Sequence, residues 1–166
     1  GIYREALSEL RREIRNRMIV QITTDSLGKF SARDQMAVVR EVRPEAVSLA
    51  LRELCPDAAA EAGFAEFLWF AKRERIAPQF ILYDATDVVR YALLVDREII
   101  PWRNAPLIFV LGRYLLASEP QPHDLLPFFP FVAQCHHPKF FADVVLRPQR
   151  FSDLIPVVFD DIIGGG

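Results

Sequence analysis

The sequence has little of what several classes of protein require. Its 166 residues include two cysteines, Cys55 and Cys135, too few for a disulfide scaffold but suited to a reducing cytoplasm. The formal net charge is −2, so no basic surface indicates nucleic acid or an acidic membrane as a partner. No apolar run approaches the roughly 18 residues that span a bilayer. We therefore expect one cytoplasmic domain without a membrane segment.

Four short apolar runs predict buried parallel strands. The first, Met18–Thr24, is rich in β-branched residues and ends in hydroxyls, and we expect a strand that is buried on both faces. The other three runs are Ala46–Ala50, Gln79–Tyr83 and Leu107–Leu111. They begin roughly 30 residues apart, the length of a βαβ unit.

The stretches between the runs have helical periodicity or helix-capping residues. We expect helices at Tyr3–Arg15, from Ser31 to just before Pro44, at about Ala58–Arg75, and after Asp84. We interpret Ser31, Asp57 and Asp84 as caps of the last three helices. Because parallel strands need helical crossovers, the sequence predicts an α/β protein with about four parallel βα units.

Other segments carry weaker signals. Arg52–Pro56 is predicted to be a loop, with Arg52 and Glu53 as a surface charge pair. Proline is frequent after residue 120, and we expect an irregular C-terminal segment there. Within it we expect a short helix at Asp124–Phe129 and short strands at Asp143–Leu146 and Pro156–Phe159.

Four motifs, in order and each on a predicted strand, carry a resemblance to a known family. They are Val-Gln-Ile-Thr-Thr (20–24), Arg-Pro-Glu-Ala-Val-Ser-Leu (43–49), Ile-Ala-Pro-Gln-Phe-Ile-Leu-Tyr (76–83) and Phe-Val-Leu-Gly-Arg-Tyr (109–114). Over about residues 3–129 the chain resembles the β-keto acid cleavage enzymes, the family of 3-keto-5-aminohexanoate cleavage enzyme.

The resemblance implies a (β/α)₈ TIM barrel, of which this chain would supply about four parallel βα units. A whole barrel takes about 250 residues, and Gly1 is not a natural start, so we expect a fragment or truncated member. We divide the chain into a partial barrel, residues 1–129, and an irregular segment, residues 130–166, that does not match the family.

The resemblance also implies acyl transfer. Members cleave a β-keto acid with acetyl-CoA, giving acetoacetate and a new acyl-CoA, and they use a divalent metal, usually zinc (Zn²⁺). The family's His-x-His metal pair does not occur in this sequence, and its catalytic glutamate aligns with Ile81. We therefore expect no metal ligands, no catalytic residue and no activity from this chain alone.

The candidate binding residues lie on predicted strands or just after them. Thr23 and Ser48 align with a serine and a threonine that hold substrate in the family. The hydroxyls of Thr23 and Thr24 would bind a carboxylate or carbonyl, unless the backbone satisfies them instead. Arg113 would pair with a CoA phosphate or a carboxylate, and the alternative is a solvated loop arginine.

Other interpretations remain open. Adjacent metal ligands are unusual, so we do not favour a metal site at Cys135-His136-His137. A non-catalytic barrel remnant would expose open strand edges and self-associate as a homo-oligomer. A small-ligand-binding α/β domain would use the strand ends without a metal.

Overall fold

The computed structural model describes residues 2–15, 17–111, 122–128, 142–146 and 157–158, and side chains in 5–15, 17–111 and 123–128. The chain divides into two compact units, Gly1–Gln79 and Phe80–Gly166, and one strand begins in the first and ends in the second. No helix in this described part of the chain is both long enough and apolar enough to cross a membrane.

The first unit alternates helices with parallel strands. β1 and β2 pair in parallel, with Gln21 opposite Ala46 and Thr23 opposite Ser48. The helix α2 connects them, as the predicted βα unit requires. The elements are α1 (Ile2–Ile14), β1 (Gln21–Thr23), α2 (Ala32–Val42), β2 (Ala46–Ala50), α3 (Leu51–Leu54), a 3₁₀ segment (Ala58–Ala60), α4 (Glu61–Arg73) and the start of β3 (Ala77–Leu82).

Capping residues set the helix boundaries of this unit where the sequence predicts them. The Ser31 hydroxyl accepts a hydrogen bond from the Asp34 N–H at 3.1 Å and begins α2. Arg43 ends α2 in the left-handed conformation, φ 46°, immediately before Pro44. Asp57 accepts from the Ala60 N–H at 3.1 Å and caps the 3₁₀ segment.

The core of the first unit includes residues of β2 and α4. All five residues of β2 are buried, which confirms the prediction for Ala46–Ala50. Phe64, Phe67 and Leu68 of α4 are fully buried at helical spacing. Burial of each of these large side chains contributes about 2–3 kcal/mol to folding.

Two predictions for the first unit are wrong. The strand predicted over Met18–Thr24 is three residues long, Gln21–Thr23, and only its middle residue is buried. Met18 and Ile19 are 68% and 76% exposed. Composition suggested a longer strand, but the ladder exists only where β1 lies opposite β2.

The second wrong prediction is the loop at Arg52–Pro56. Leu51–Leu54 form the helix α3 instead, directly after β2. Leu51 and Leu54 are buried three residues apart on one face of this single turn, so tertiary burial stabilises a helix too short to be recognised from periodicity.

The second unit repeats the same pattern. β3 pairs with β4 in parallel and β4 with β5 in parallel, whereas β6 is antiparallel to β5. Asp84 caps the helix between β3 and β4 as predicted, since its Oδ1 accepts from the Asp87 N–H at 2.9 Å. The elements are the end of β3, α5 (Ala85–Asp96), β4 (Leu107–Leu111), a 3₁₀ segment (Pro122–Phe128), β5 (Ala142–Leu146) and β6 (Val157–Val158).

Aromatic packing holds the layers of the second unit together. The rings of Phe80 on β3 and Tyr91 on α5 lie 5.2 Å apart, so this face of β3 packs against the helix. Phe128 packs on Phe109 of β4 at 4.8 Å. Parallel strands joined by helices in both units confirm the α/β class, and they agree with a partial TIM barrel.

Candidate functional site

Two hydroxyl residues lie opposite each other where the β1–β2 ladder of the first unit ends. Thr23 and Ser48 are register partners in β1 and β2, so their side chains lie on the same face of the ladder. The Thr23 side chain is exposed, whereas Ser48 is 5% exposed. The predicted pair is therefore brought together where the β1–β2 ladder ends, at the carboxyl end of β1 and the middle of β2.

A row of amides lies on the same face, below these hydroxyls. Gln21, two residues before Thr23, donates from Nε2 to the Ser48 hydroxyl and to Gln79 Oε1, the latter at 2.9 Å. Sequence reasoning missed Gln21 and Gln79. The available signal was the alternation of Gln21 and Thr23 within an apolar run, which marks one polar face of a strand.

Thr24 makes a different set of contacts from Thr23. Its hydroxyl donates to the Ser48 carbonyl oxygen at 3.1 Å, and its N–H donates to the same oxygen at 3.0 Å. Thr24 is 7% exposed. By contrast, the Thr23 hydroxyl accepts from the Asp25 N–H at 3.3 Å, which leaves its proton available for donation.

A carboxylate from α3 fixes the loop after β1. Glu53 Oε2 accepts from the Ser26 N–H at 3.1 Å, the Ser26 hydroxyl at 2.8 Å and Gln35 Nε2 at 2.9 Å. Burial raises the pKa of the Glu53 carboxyl. Hydrogen bonds from Ser26, Gln35 and Gly28 outweigh that effect and hold its pKa below the ordinary value of 4.5.

The Glu53 cluster corrects the surface role that the sequence suggests for this residue. Gln35 is 5% exposed and lies between Ser26 and Glu53. Pattern reasoning had no signal for this contact, because Ser26, Gln35 and Glu53 are far apart in sequence and meet only through packing of α2 against α3. The cluster positions the loop that follows Thr23 and Thr24.

In the second unit, by contrast, the side chains at the end of β3 and just after it are apolar or hydrogen-bonded to the backbone. Ile81 is 4% exposed and lies opposite Ile108 of β4. Asp87 Oδ2 accepts from the Tyr83 N–H at 2.9 Å, and Asp84 caps α5. Arg113 and Cys135-His136-His137 lie outside the described residues.

The chain was compared with known families and curated proteins. Residues 1–145 match the family model described as beta-keto acid cleavage enzyme. The chain belongs to the beta-keto acid cleavage enzyme family. The match extends past Phe129 and confirms the resemblance drawn from the four motifs. The comparison with curated proteins gave no match.

Membership of the beta-keto acid cleavage enzymes implies a divalent metal ion. Such an ion needs several His, Cys, Asp or Glu side chains close together as ligands. Within the ranges that the structure describes, no group of three or more His, Cys, Asp or Glu side chains is arranged to hold a metal ion. These residues do not fit a metal site. What this part of the family's fold does offer is hydroxyl and amide side chains on one face of the β1–β2 ladder.

Proposed function

We propose that the chain carries a substrate-binding part of a beta-keto acid cleavage enzyme. The reaction is acyl transfer between a β-keto acid and acetyl-CoA, giving acetoacetate and an acyl-CoA. Thr23 and Ser48 donate hydrogen bonds to the oxygen atoms of the keto acid. The single observation that supports this assignment is their position as register partners on one face, at the last pair of the β1–β2 ladder.

The hydrogen-bond donors at this position suit an anionic, oxygen-rich ligand. The Thr23 oxygen accepts from the Asp25 N–H, and the Ser48 oxygen accepts from Gln21, so each hydroxyl proton is left for a ligand. Hydrogen bonds to a charged group contribute about 1.5–3 kcal/mol each. Thr24 supports this arrangement instead, because its proton is engaged by the Ser48 carbonyl.

We further propose that this chain alone does not catalyse turnover. The sequence has three histidines, none in His-x-His spacing, and Ile81 occupies the position of the family's glutamate. An isoleucine cannot accept a proton from the substrate. Zinc and acetyl-CoA remain proposals from the family, as do the pairing of Arg113 with a CoA phosphate or carboxylate and the cytoplasmic location.

Binding of acetoacetate to the full chain, measured by calorimetry, tests the substrate site. Thr23→Val and Ser48→Ala each remove one donor, and we expect each to weaken binding about tenfold. Ser8→Ala, on an exposed face of α1, is the control and leaves binding unchanged. Equal binding by the wild-type chain and the two site variants would refute the assignment.

An isotope-exchange assay with acetoacetate, acetyl-CoA labelled in its acetyl group, and zinc sulfate tests the proposal that the chain alone is inactive. We expect no exchange of label into acetoacetate above the rate without protein. Exchange that depends on the chain would show that it is catalytically competent and would remove the proposal of inactivity, while leaving the substrate assignment in place.

Self-association as a homo-oligomer is the second candidate function. It is favoured by Met18 and Ile19, two adjoining apolar residues that are 68% and 76% exposed and directly precede β1. Sedimentation equilibrium on the wild type and on Ile19→Ser would test it. A monomeric wild type at micromolar concentration would exclude this function.

A further inference from the structure

We propose that Gln21 is a positioning residue that holds the Ser48 hydroxyl as a hydrogen-bond donor and so makes the site prefer a β-keto acid to the corresponding β-hydroxy acid. The inference rests on the proposed function, since it assigns Ser48 to the ligand. It adds a residue that family membership does not identify and a reason for selecting a ketone.

The first step is the direction of the hydrogen bonds in the amide row, which Gln21 and Gln79 form. Gln21 Nε2 contacts two oxygen atoms, the Ser48 hydroxyl and Gln79 Oε1. An amide nitrogen carries two hydrogens and accepts none, so both contacts are donations by Gln21. The Ser48 hydroxyl oxygen therefore accepts a hydrogen bond from Gln21, and its own proton is directed to a different acceptor.

The amide of Gln79 is coupled to this polarity. The amide oxygen and nitrogen of a glutamine are distinguished by the network around them. Gln79 presents Oε1 to Gln21 at 2.9 Å, which requires a nitrogen on the Gln21 side. Reversal of the row would need both glutamine amides to rotate together, so Ser48 is held as a donor by two coupled side chains rather than one.

The ligand preference follows from the donor state of Ser48. A keto oxygen only accepts, so it pairs with a serine that donates. The hydroxyl of a β-hydroxy acid both donates and accepts, so it pairs with either state. If Ser48 became an acceptor, the ketone would lose its partner while the alcohol would keep one. A site that has to hydrogen-bond a particular group discriminates strongly against a ligand lacking the matching atom.

Gln21→Glu is the decisive variant. At pH 7 a carboxylate only accepts, so it takes the Ser48 proton and turns the serine oxygen toward the ligand as an acceptor. The dissociation constants of acetoacetate and 3-hydroxybutyrate are measured by calorimetry for the full chain. We expect the preference for the ketone, expressed as the ratio of the two constants, to fall about tenfold.

Gln79→Glu is the matched control, because it adds the same charge to the same row. A carboxylate at position 79 still accepts from Gln21 Nε2, so Ser48 stays a donor. Charge repulsion weakens both anionic ligands in either variant, and it cancels in the ratio. We expect the ratio to stay within about twofold of wild type.

These measurements distinguish a failure of the proposed function from a failure of the role assigned to Gln21. If acetoacetate does not bind the wild-type chain, or binds Ser48→Ala equally well, the proposed function and this inference are both overturned. If Ser48→Ala weakens binding but Gln21→Glu leaves the ratio at its wild-type value, only the role of Gln21 is overturned. A loss of fold would lower both affinities alike and leave the ratio unchanged, which also counts against the inference.

Discussion

The strand ends of the two units differ in chemistry although their secondary structure is alike. In the first unit, Thr23 and Ser48 stand beside each other above a row of amides, and Glu53 fixes the loop that follows. In the second unit, Ile81 of β3 faces Ile108 of β4, and Asp84 and Asp87 serve the start of α5. The first unit has neighbouring hydroxyl and amide side chains at this position, whereas the second has buried apolar residues and helix caps.

The difference separates recognition from proton transfer. Hydroxyl donors can hold the oxygen atoms of a keto acid, but cleavage next to a carbonyl also needs a group that moves a proton. In the second unit, β3 carries a buried isoleucine, Ile81, which is 4% exposed and cannot accept a proton. The proposed function therefore assigns ligand binding, and not proton transfer, to the first unit.

The largest expected effect comes from returning a carboxylate to β3. Ile81→Glu places an ionised group in a buried, apolar position, and we expect the free energy of unfolding to fall by about 3 kcal/mol at pH 7. The loss should shrink at pH 5, since a protonated carboxyl is less costly to bury. Urea denaturation followed by circular dichroism measures both values.

Ile81→Met is the control for the β3 substitution. It keeps the volume and apolar character of the side chain, so its cost should stay below about 1.5 kcal/mol. If the glutamate variant were as stable as the methionine variant at pH 7, the end of β3 would tolerate charge. The contrast between the two units would then be wrong.

The next largest effect concerns the hydrogen-bonded cluster of Glu53, Ser26 and Gln35. Glu53→Ala removes the acceptor of three hydrogen bonds and takes this partner from the Ser26 N–H and hydroxyl, whereas Gln35 Nε2 keeps the Ser26 hydroxyl and the Phe30 carbonyl as acceptors. We expect a loss of about 2 kcal/mol in unfolding free energy, and a smaller loss for Glu53→Gln, which keeps one acceptor oxygen. An alanine variant as stable as wild type would mean that the cluster does not hold the loop.

The pH dependence of the same cluster has a definite sign. The pKa of Glu53 is lower in the folded chain than its ordinary value of 4.5, so the ionised form stabilises the fold. That contribution is complete above pH 4.5 and is lost as the pH falls below 4.5 through the folded-state pKa. The stability difference between wild type and Glu53→Gln should therefore narrow in acid, and an increase in acid would contradict the assignment.

Local chemistry explains which parts of the fold could be predicted from sequence. Ser31, Asp57 and Asp84 cap helices as predicted, because a cap depends on residues three positions apart. The strands β2 and β4 were placed correctly at Ala46–Ala50 and Leu107–Leu111, since a buried run needs no knowledge of its partner to be recognised.

The remaining features depend on contacts that a linear pattern does not encode. The short length of β1 depends on its ladder with β2, and the helix α3 depends on the burial of Leu51 and Leu54. For the site, the neighbouring positions of Thr23 and Ser48 followed from the motifs. The interactions of Gln21 with Ser48, and of Glu53 with Gln35, join segments about 20 residues or more apart and required coordinates.

The smallest expected effects on stability come from substitutions of the adjacent residues Thr23 and Thr24. Together they distinguish a structural role of a hydroxyl from a role in ligand binding. Thr24→Val removes the buried hydrogen bond to the Ser48 carbonyl and should cost about 1 kcal/mol of unfolding free energy. Thr23→Val changes an exposed side chain, so its effect on stability should stay within about 0.5 kcal/mol. Acetoacetate affinity should reverse the order, with the larger loss at Thr23, because only that hydroxyl has a proton to give. If both variants lost stability and affinity in parallel, the strand end would be a structural feature rather than a binding one.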